Sequence, residues 1–259
     1  MSTLATSALP DGRCVTPEID LEALAAGYRH RPTSPATLRR ALEAVAGLAP
    51  ESAVLDIGGG PGHHAAIWAR EGHQAIVVDR ADAMVRLANQ HSGVRVVRGL
   101  AEALPLRDAS VMVVYFHLSL HYGDWRRSLR EATRVLAPGG RCVIWTLGPE
   151  HHLKSMLARW FPSISAIDAK RFPRPADVAD ELAAMGTAVT ETRQVEVVRR
   201  RAGHWRRAVE AGFVSTLQLV EPAELQAGLE AFAVAHPDPD EEITYEMYWE
   251  GLTARVGPN

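Results

Sequence analysis

Between Ser52 and Gly148, short β-branched apolar runs alternate with stretches of helical periodicity, and this alternation limits the fold more than any other feature of the chain. The runs "AVLDIG" (53–58), "QAIVVD" (74–79), "VRVVRG" (94–99), "VMVVYF" (111–116) and "RCVIWTLG" (141–148) read as buried strands. The segments between them predict helices over 62–71, 81–91 and 125–136, and a short helical turn over "AEAL" (101–104). Strands joined through helices run parallel with helices on both faces, which gives an α/β, doubly wound sheet.

Outside this block the pattern is looser. Residues 19–30 and 35–48 are helical in period, interrupted by the proline-bearing "RHRPTSP". After Gly148, helical patterns cover 150–162, 174–185, 202–213 and 221–235. "AVTETRQVEVV" (188–198) and "ITYEMYWEGLTARV" (243–256) read as a sixth and a terminal strand. The expected organisation is a flexible N-terminal arm (1–18), N-terminal helices forming a lid (19–50), a ligand-binding core (51–148), and cap helices with the last strands of the sheet (149–259).

At 259 residues and 47% hydrophobic, the chain can bury one core with a smaller satellite lobe. A net charge of −3 provides no basic field for nucleic acid, and the apolar runs are too short to span a bilayer. The opening residues lack a signal-peptide pattern. Cys14 and Cys142 are too far apart to suggest a disulfide framework or zinc cluster. These features point to a cytoplasmic protein with no nucleic-acid or membrane partner; the expected state, which composition leaves open, is a monomer or homodimer.

The first strand runs into a glycine turn and then a helix, "VLDIGGGPGHHAAIWA" (54–69). Ligands of doubly wound sheets sit beyond the strand ends at such a turn, where glycine lets bare backbone approach. Two ligands compete for it. "GPGHHA" (60–65) satisfies the dinucleotide pattern, with Asp79 ending the second strand where a ribose-binding acid belongs. Asp56, however, would repel a pyrophosphate and could accept from a ligand's ammonium group. A nucleoside carrying an amino acid, S-adenosylmethionine, satisfies both acids.

"VLDIGGGPG", "VVDRADAMVRLA", "GLAEALPL", "YFHLSLHY" and "LREATRVLAPGGRCVI" follow in the order and spacing of class I S-adenosylmethionine-dependent methyltransferases, which the chain resembles. It is similar to the branch containing the ubiquinone/menaquinone-biosynthesis and trans-aconitate methyltransferases. The resemblance is close over residues 28 to 148, and "YRHRP" (28–32) is similar to the branch's Tyr-x-x-x-Arg-Pro segment, shortened by one residue. It implies a Rossmann-like seven-stranded methyltransferase sheet with a helical cap, and S-adenosyl-L-methionine as cofactor.

By the same resemblance, Gly58, Gly60 and Gly62 cradle the methionine portion and Asp56 orients its amino group. Asp79 takes the ribose hydroxyls. Arg80 and Met84 flank the adenine, and Ala101 and Glu102 line its exocyclic edge. Tyr28, Arg31 and Phe116 complete the expected cofactor set. The acid that usually precedes the Ala-Glu pair is replaced by Leu100.

In-line methyl transfer requires an aligned acceptor and excluded water, and a base only where the acceptor holds its proton. His117 and His121, four residues apart, are the candidate catalytic residues. His117 is the better candidate for contacting substrate, whereas His121 reads first as a structural histidine and wall of the pocket. Ser119, Tyr122, His151, His152, Trp160, Ser215 and Tyr245 are candidates for the acceptor pocket. Adjacent histidines seldom ligate together, so no metal is expected. The leading expectation is a methyltransferase acting on a small molecule, including specialised metabolites, at an O, N or C acceptor. The alternatives are a non-methylating enzyme using the same cofactor, such as a cyclase, and an NAD(P)-dependent oxidoreductase.

Overall fold

The computed structural model describes residues 19–28 and 34–258, so the expected N-terminal arm and Arg31 lie outside the described residues. Two helices lead in, α1 (Leu21–Tyr28) and α2 (Pro35–Val45). The alternating block follows as β1 (Ala53–Ile57), α3 (His63–Arg70), β2 (Gln74–Asp79), α4 (Asp82–Ala88), β3 (Val94–Arg98), β4 (Val111–His117), α5 (Trp125–Val135) and β5 (Leu136–Leu147). Helices α6 (Pro149–Lys154), α7 (Met156–Trp160), α8 (Ser163–Arg171) and α9 (Pro175–Ala184) precede β6 (Ala188–Arg201). The chain then continues through α10 (Ala202–Glu210), α11 (Pro222–Ala235) and β7 (Glu242–Arg255).

Among the described residues the strands form one seven-stranded sheet in the order β3-β2-β1-β4-β5-β7-β6. The first five are parallel, and β7 runs antiparallel to both β5 and β6. This is the doubly wound α/β sheet expected from the alternation, with the seven strands that the resemblance implies. None of the described helices is long and apolar enough to cross a membrane.

Strand alternation divides the interior into two layers. Leu55 and Ile57 join Val114, Phe116 and Ile144 under α5 and α9. Val54 joins Val113 and Tyr115 under α2 and α3, where Trp68 is fully buried. Burial on both faces explains why the central strands read as continuous apolar runs. A third cluster, Phe161, Ile164, Trp205, Phe232 and their neighbours, is built by α7, α8, α10 and α11 and takes in Ile243 at the start of β7.

Several elements differ from expectation. "AEAL" forms turns, held by an isolated bridge between Leu100 and Ala103. β5 begins at Leu136, ahead of Pro138-Gly139-Gly140, because a register shift against β4 absorbs the turn-like residues. The helix expected over 150–162 breaks at Ser155, whose extended backbone and side chain instead cap α7 at Ala158 N (3.0 Å). α8 was not anticipated, since "SISAIDAKR" has too weak an apolar stripe to announce a helix.

Candidate functional site

β1 ends in a turn in which Gly58, Gly60 and Gly62 have φ of 64°, 54° and 80°, the left-handed region that favours glycine. A Cβ on Gly59 would lie 2.7 Å from the Asp56 carboxyl carbon, so the turn is bare because the acid folds back over it. Asp56 is fully buried, and neither carboxylate oxygen has a hydrogen-bond partner among the described residues. The His64 imidazole lies beside it, with Nδ1 3.4 Å from Oδ2.

Asp79 ends the neighbouring strand. Its Oδ2 accepts from Gly60 N–H and its Oδ1 from Ala81 N–H, both at 2.9 Å. Burial raises its pKa above the ordinary carboxylate value, and these two backbone donors oppose the shift. The turn therefore presents two acids on its two sides.

Two cavities meet at this turn, and Tyr28, Gly58, Leu118 and Tyr122 line both. The smaller, about 670 Å³, is walled by Gly60, Asp79, Arg80, Met84, Ala101 and Glu102. α1 lies across it, with Leu24 packed on Ala81 and Met84. The larger, a cleft of about 1620 Å³, holds Asp56, His117, His121, His151, Ser215 and Tyr245. Most of the expected residues are thus brought together, in two adjoining groups.

Five residues are placed differently from expectation. Phe116 is fully buried between β4 and α5, because β4 turns its odd-numbered Tyr115 and His117 toward the cleft side and its even-numbered residues away. Gly62 lines neither cavity, and a Cβ there would meet Ala88 and His91. Its positive φ serves the start of α3. His152 packs behind the cleft-wall residue Phe172 at 5.2 Å and Trp160 on Phe232 at 5.3 Å, and neither lines the cleft. Ser119 lines the smaller cavity instead of the larger, donating its hydroxyl to Ile57 O at 2.6 Å.

The cleft's histidines sit in contrasting settings. His117 lies against His64 (4.7 Å) and Trp249 (5.2 Å). His121 is stacked on Phe172 (3.9 Å) and beside Tyr122 (4.2 Å), which makes it a wall of the cleft. His151 Nδ1 accepts from Tyr248 N–H (3.2 Å), so its proton resides on Nε2. Burial and the neighbouring His152 push its pKa down to about 3, and burial alone takes His152 to about 4. Both are neutral near pH 7.

At the cleft's far wall, sequence reading named Ser215 and Tyr122 but missed the buried Asp168 and Arg171 that join them in a polar cluster. Thr216 donates to Asp168 (2.6 Å), while Arg171 donates to Thr216 (2.7 Å) and Ser215 (3.0 Å). Tyr122 donates to Ser215 at 2.9 Å, tying the loop after β4 to this cluster. Asp168 and Arg171 are three apart on α8, a spacing that signals a pair only once the helix is recognised. His64 and Glu196 were also missed as cleft residues. His64 could have been found, because the first turn of the helix after a glycine turn faces the ligand.

Residues 55–144 match the family model described as a methyltransferase domain. The chain is 30% identical over 172 residues to a malonyl-[acyl-carrier protein] O-methyltransferase of Methylococcus capsulatus, a match covering 64% of this chain and 56% of that protein. The match thus spans little more than half of that relative's length. Among solved structures, a putative methyltransferase from an antibiotic biosynthesis pathway of Anabaena variabilis superposes with a TM-score of 0.67 at 22% identity, covering 86% of this chain and 98% of that one. Geranyl diphosphate C-methyltransferase of Streptomyces coelicolor, in complex with S-adenosyl-L-homocysteine, gives 0.54 at 18% identity, covering 85% and 79%.

Proposed function

We propose, for a chain that belongs to the class I S-adenosylmethionine-dependent methyltransferases, that it transfers a methyl group from S-adenosylmethionine to a small-molecule acceptor held in the larger cleft. The observation that carries this reading is the Asp56 carboxylate, buried with both oxygens lacking hydrogen bonds beside the bare glycine turn. Such a group requires a donor. A ligand's ammonium group satisfies it, whereas a dinucleotide's pyrophosphate would be repelled.

In this reading Asp56 binds the amino group of the cofactor's methionine portion. Asp79, across the turn, accepts from the ribose hydroxyls through lone pairs left over from its two backbone bonds. Arg80 and Met84 flank the adenine, and Ala101 and Glu102 face its edge. When bound, S-adenosylmethionine supplies an electrophilic methyl group on a sulfonium. Gly58, Leu118 and Tyr122, shared by both cavities, form the passage through which donor and acceptor meet. The helices over the cleft exclude water, and His117 contacts the acceptor.

Calorimetric titration tests the reading. S-adenosylhomocysteine is expected to bind stoichiometrically and NADH not to bind, and methyl-group consumption should yield S-adenosylhomocysteine once an acceptor is supplied. Binding of NADH in place of S-adenosylhomocysteine would overturn it. A cytoplasmic location, a monomer or homodimer, and indifference to nucleic acid complete the proposal.

A further inference from the structure

Resting on the proposed methyl transfer, we infer that the acceptor is an uncharged, ring-bearing molecule with hydrogen-bond donors, such as a phenol or aromatic amine, and that the cleft rejects anionic acceptors.

The inference follows from how the charges around the cleft are oriented. Arg40 has a side chain with no exposure, its guanidinium 4.1 Å from the Trp249 ring and 4.8 Å from the Trp145 ring. It donates to Glu196 and to Gln194, each at 3.1 Å. Arg171, equally enclosed, donates to Thr216 and Ser215 and lies 3.8 Å from Asp168. In both pairs the acid lines the cleft and the arginine does not. Arg200 does not line it either; its guanidinium bonds Tyr245 and lies 5.8 Å from the Phe213 ring. Among the described residues no lysine or arginine reaches the cleft surface.

A carboxylate or phosphate placed here would meet the oxygens of Glu196 and Asp168 first, with Arg40 and Arg171 lying behind them and off the cleft surface, an orientation that disfavours an anion. An O–H or N–H group finds acceptors in the same two acids. Phe172, Trp205, Phe213 and Trp249 supply flat apolar walls suited to rings. Neutral His151, with its proton on Nε2, is a donor that can hold a ring oxygen without carrying charge.

Equilibrium dialysis of the intact protein, with and without S-adenosylhomocysteine, tests this with two probes of one shape, 2-naphthol and 2-naphthoate, at pH 7. The naphthol is expected to bind at least about tenfold more tightly. Glu196→Gln and Asp168→Asn, each checked for native circular dichroism, are expected to narrow that preference. Equal binding, tighter naphthoate binding, or no binding of either probe overturns the inference. So does a preference unchanged in both folded variants. Failure of S-adenosylhomocysteine to bind would instead overturn the methyltransferase reading, while the naphthol preference is scored separately.

Discussion

Both oxygens of Asp79 are engaged by backbone N–H groups while the side chain is only 7% exposed. Sequence reasoning, which sees only a strand-end acid, expects Asp79→Ala to remove cofactor binding and spare the fold. The structure adds a cost, because two buried donors lose their acceptor, worth about 1–3 kcal/mol each before relaxation. Asp79→Ala is therefore expected to abolish S-adenosylhomocysteine binding in calorimetry and also to lower the melting temperature; an unchanged melting temperature would contradict the geometry. His152 gives a second test. Its folded pKa of about 4 lies below the ordinary histidine value of 6.5, so the unfolded chain takes up a proton that the folded chain refuses. Stability is then lost as pH falls from about 6.5 toward 4. His152→Phe should reduce the loss between pH 6.5 and 5 by about 1.5 kcal/mol, read from urea midpoints. Asp56 and Asp79 were legible as single letters because strand ends fix where such acids must stand. Glu196 and Asp168 were not, because their partners Arg40 and Arg171 become relevant only after distant segments pack.

The central strands were readable from sequence to within a few residues because each is buried on both faces and carries no competing pattern. Among the helices past Gly148, α7 and α8 were harder, since their apolar residues pack in a cluster built mainly by other helices and not against a flat sheet. Phe161 and Phe232 belong to this second core, not to the cleft. α11 meets α7 so closely that a Cβ on Gly228 would fall on the Phe161 ring and 2.5 Å from Trp160 O. Gly228→Ala raises helix propensity yet overpacks this contact, and a net destabilisation of about 1–3 kcal/mol is expected. The measurement is a thermal melt, with S-adenosylhomocysteine affinity serving as a readout of the distant turn, which should hold near wild type. At Gly58 the balance differs, because φ is 64° and a Cβ would lie 2.6 Å from Ser119 Cβ. Gly58→Ala should weaken nucleoside binding more than it lowers stability.

Across the whole molecule, Tyr122 lines both cavities and also bonds the helical lobe, through Ser215. Removing that hydroxyl with Tyr122→Phe is expected to lower turnover severalfold while leaving S-adenosylhomocysteine affinity within about threefold, since the lost bond holds lobe to core more than it holds cofactor. Rapid-mix single-turnover assays would separate the two effects. β7 has a further consequence. Although it is the last strand in the chain, it lies inside the sheet, flanked by β5 and β6. A nascent polypeptide leaving the ribosome thus carries its complete nucleoside turn for more than a hundred residues before the final hairpin can zip between two waiting edges. Closure of the sheet therefore waits on synthesis of β7, and a bound nucleoside braces the half-built sheet during that interval.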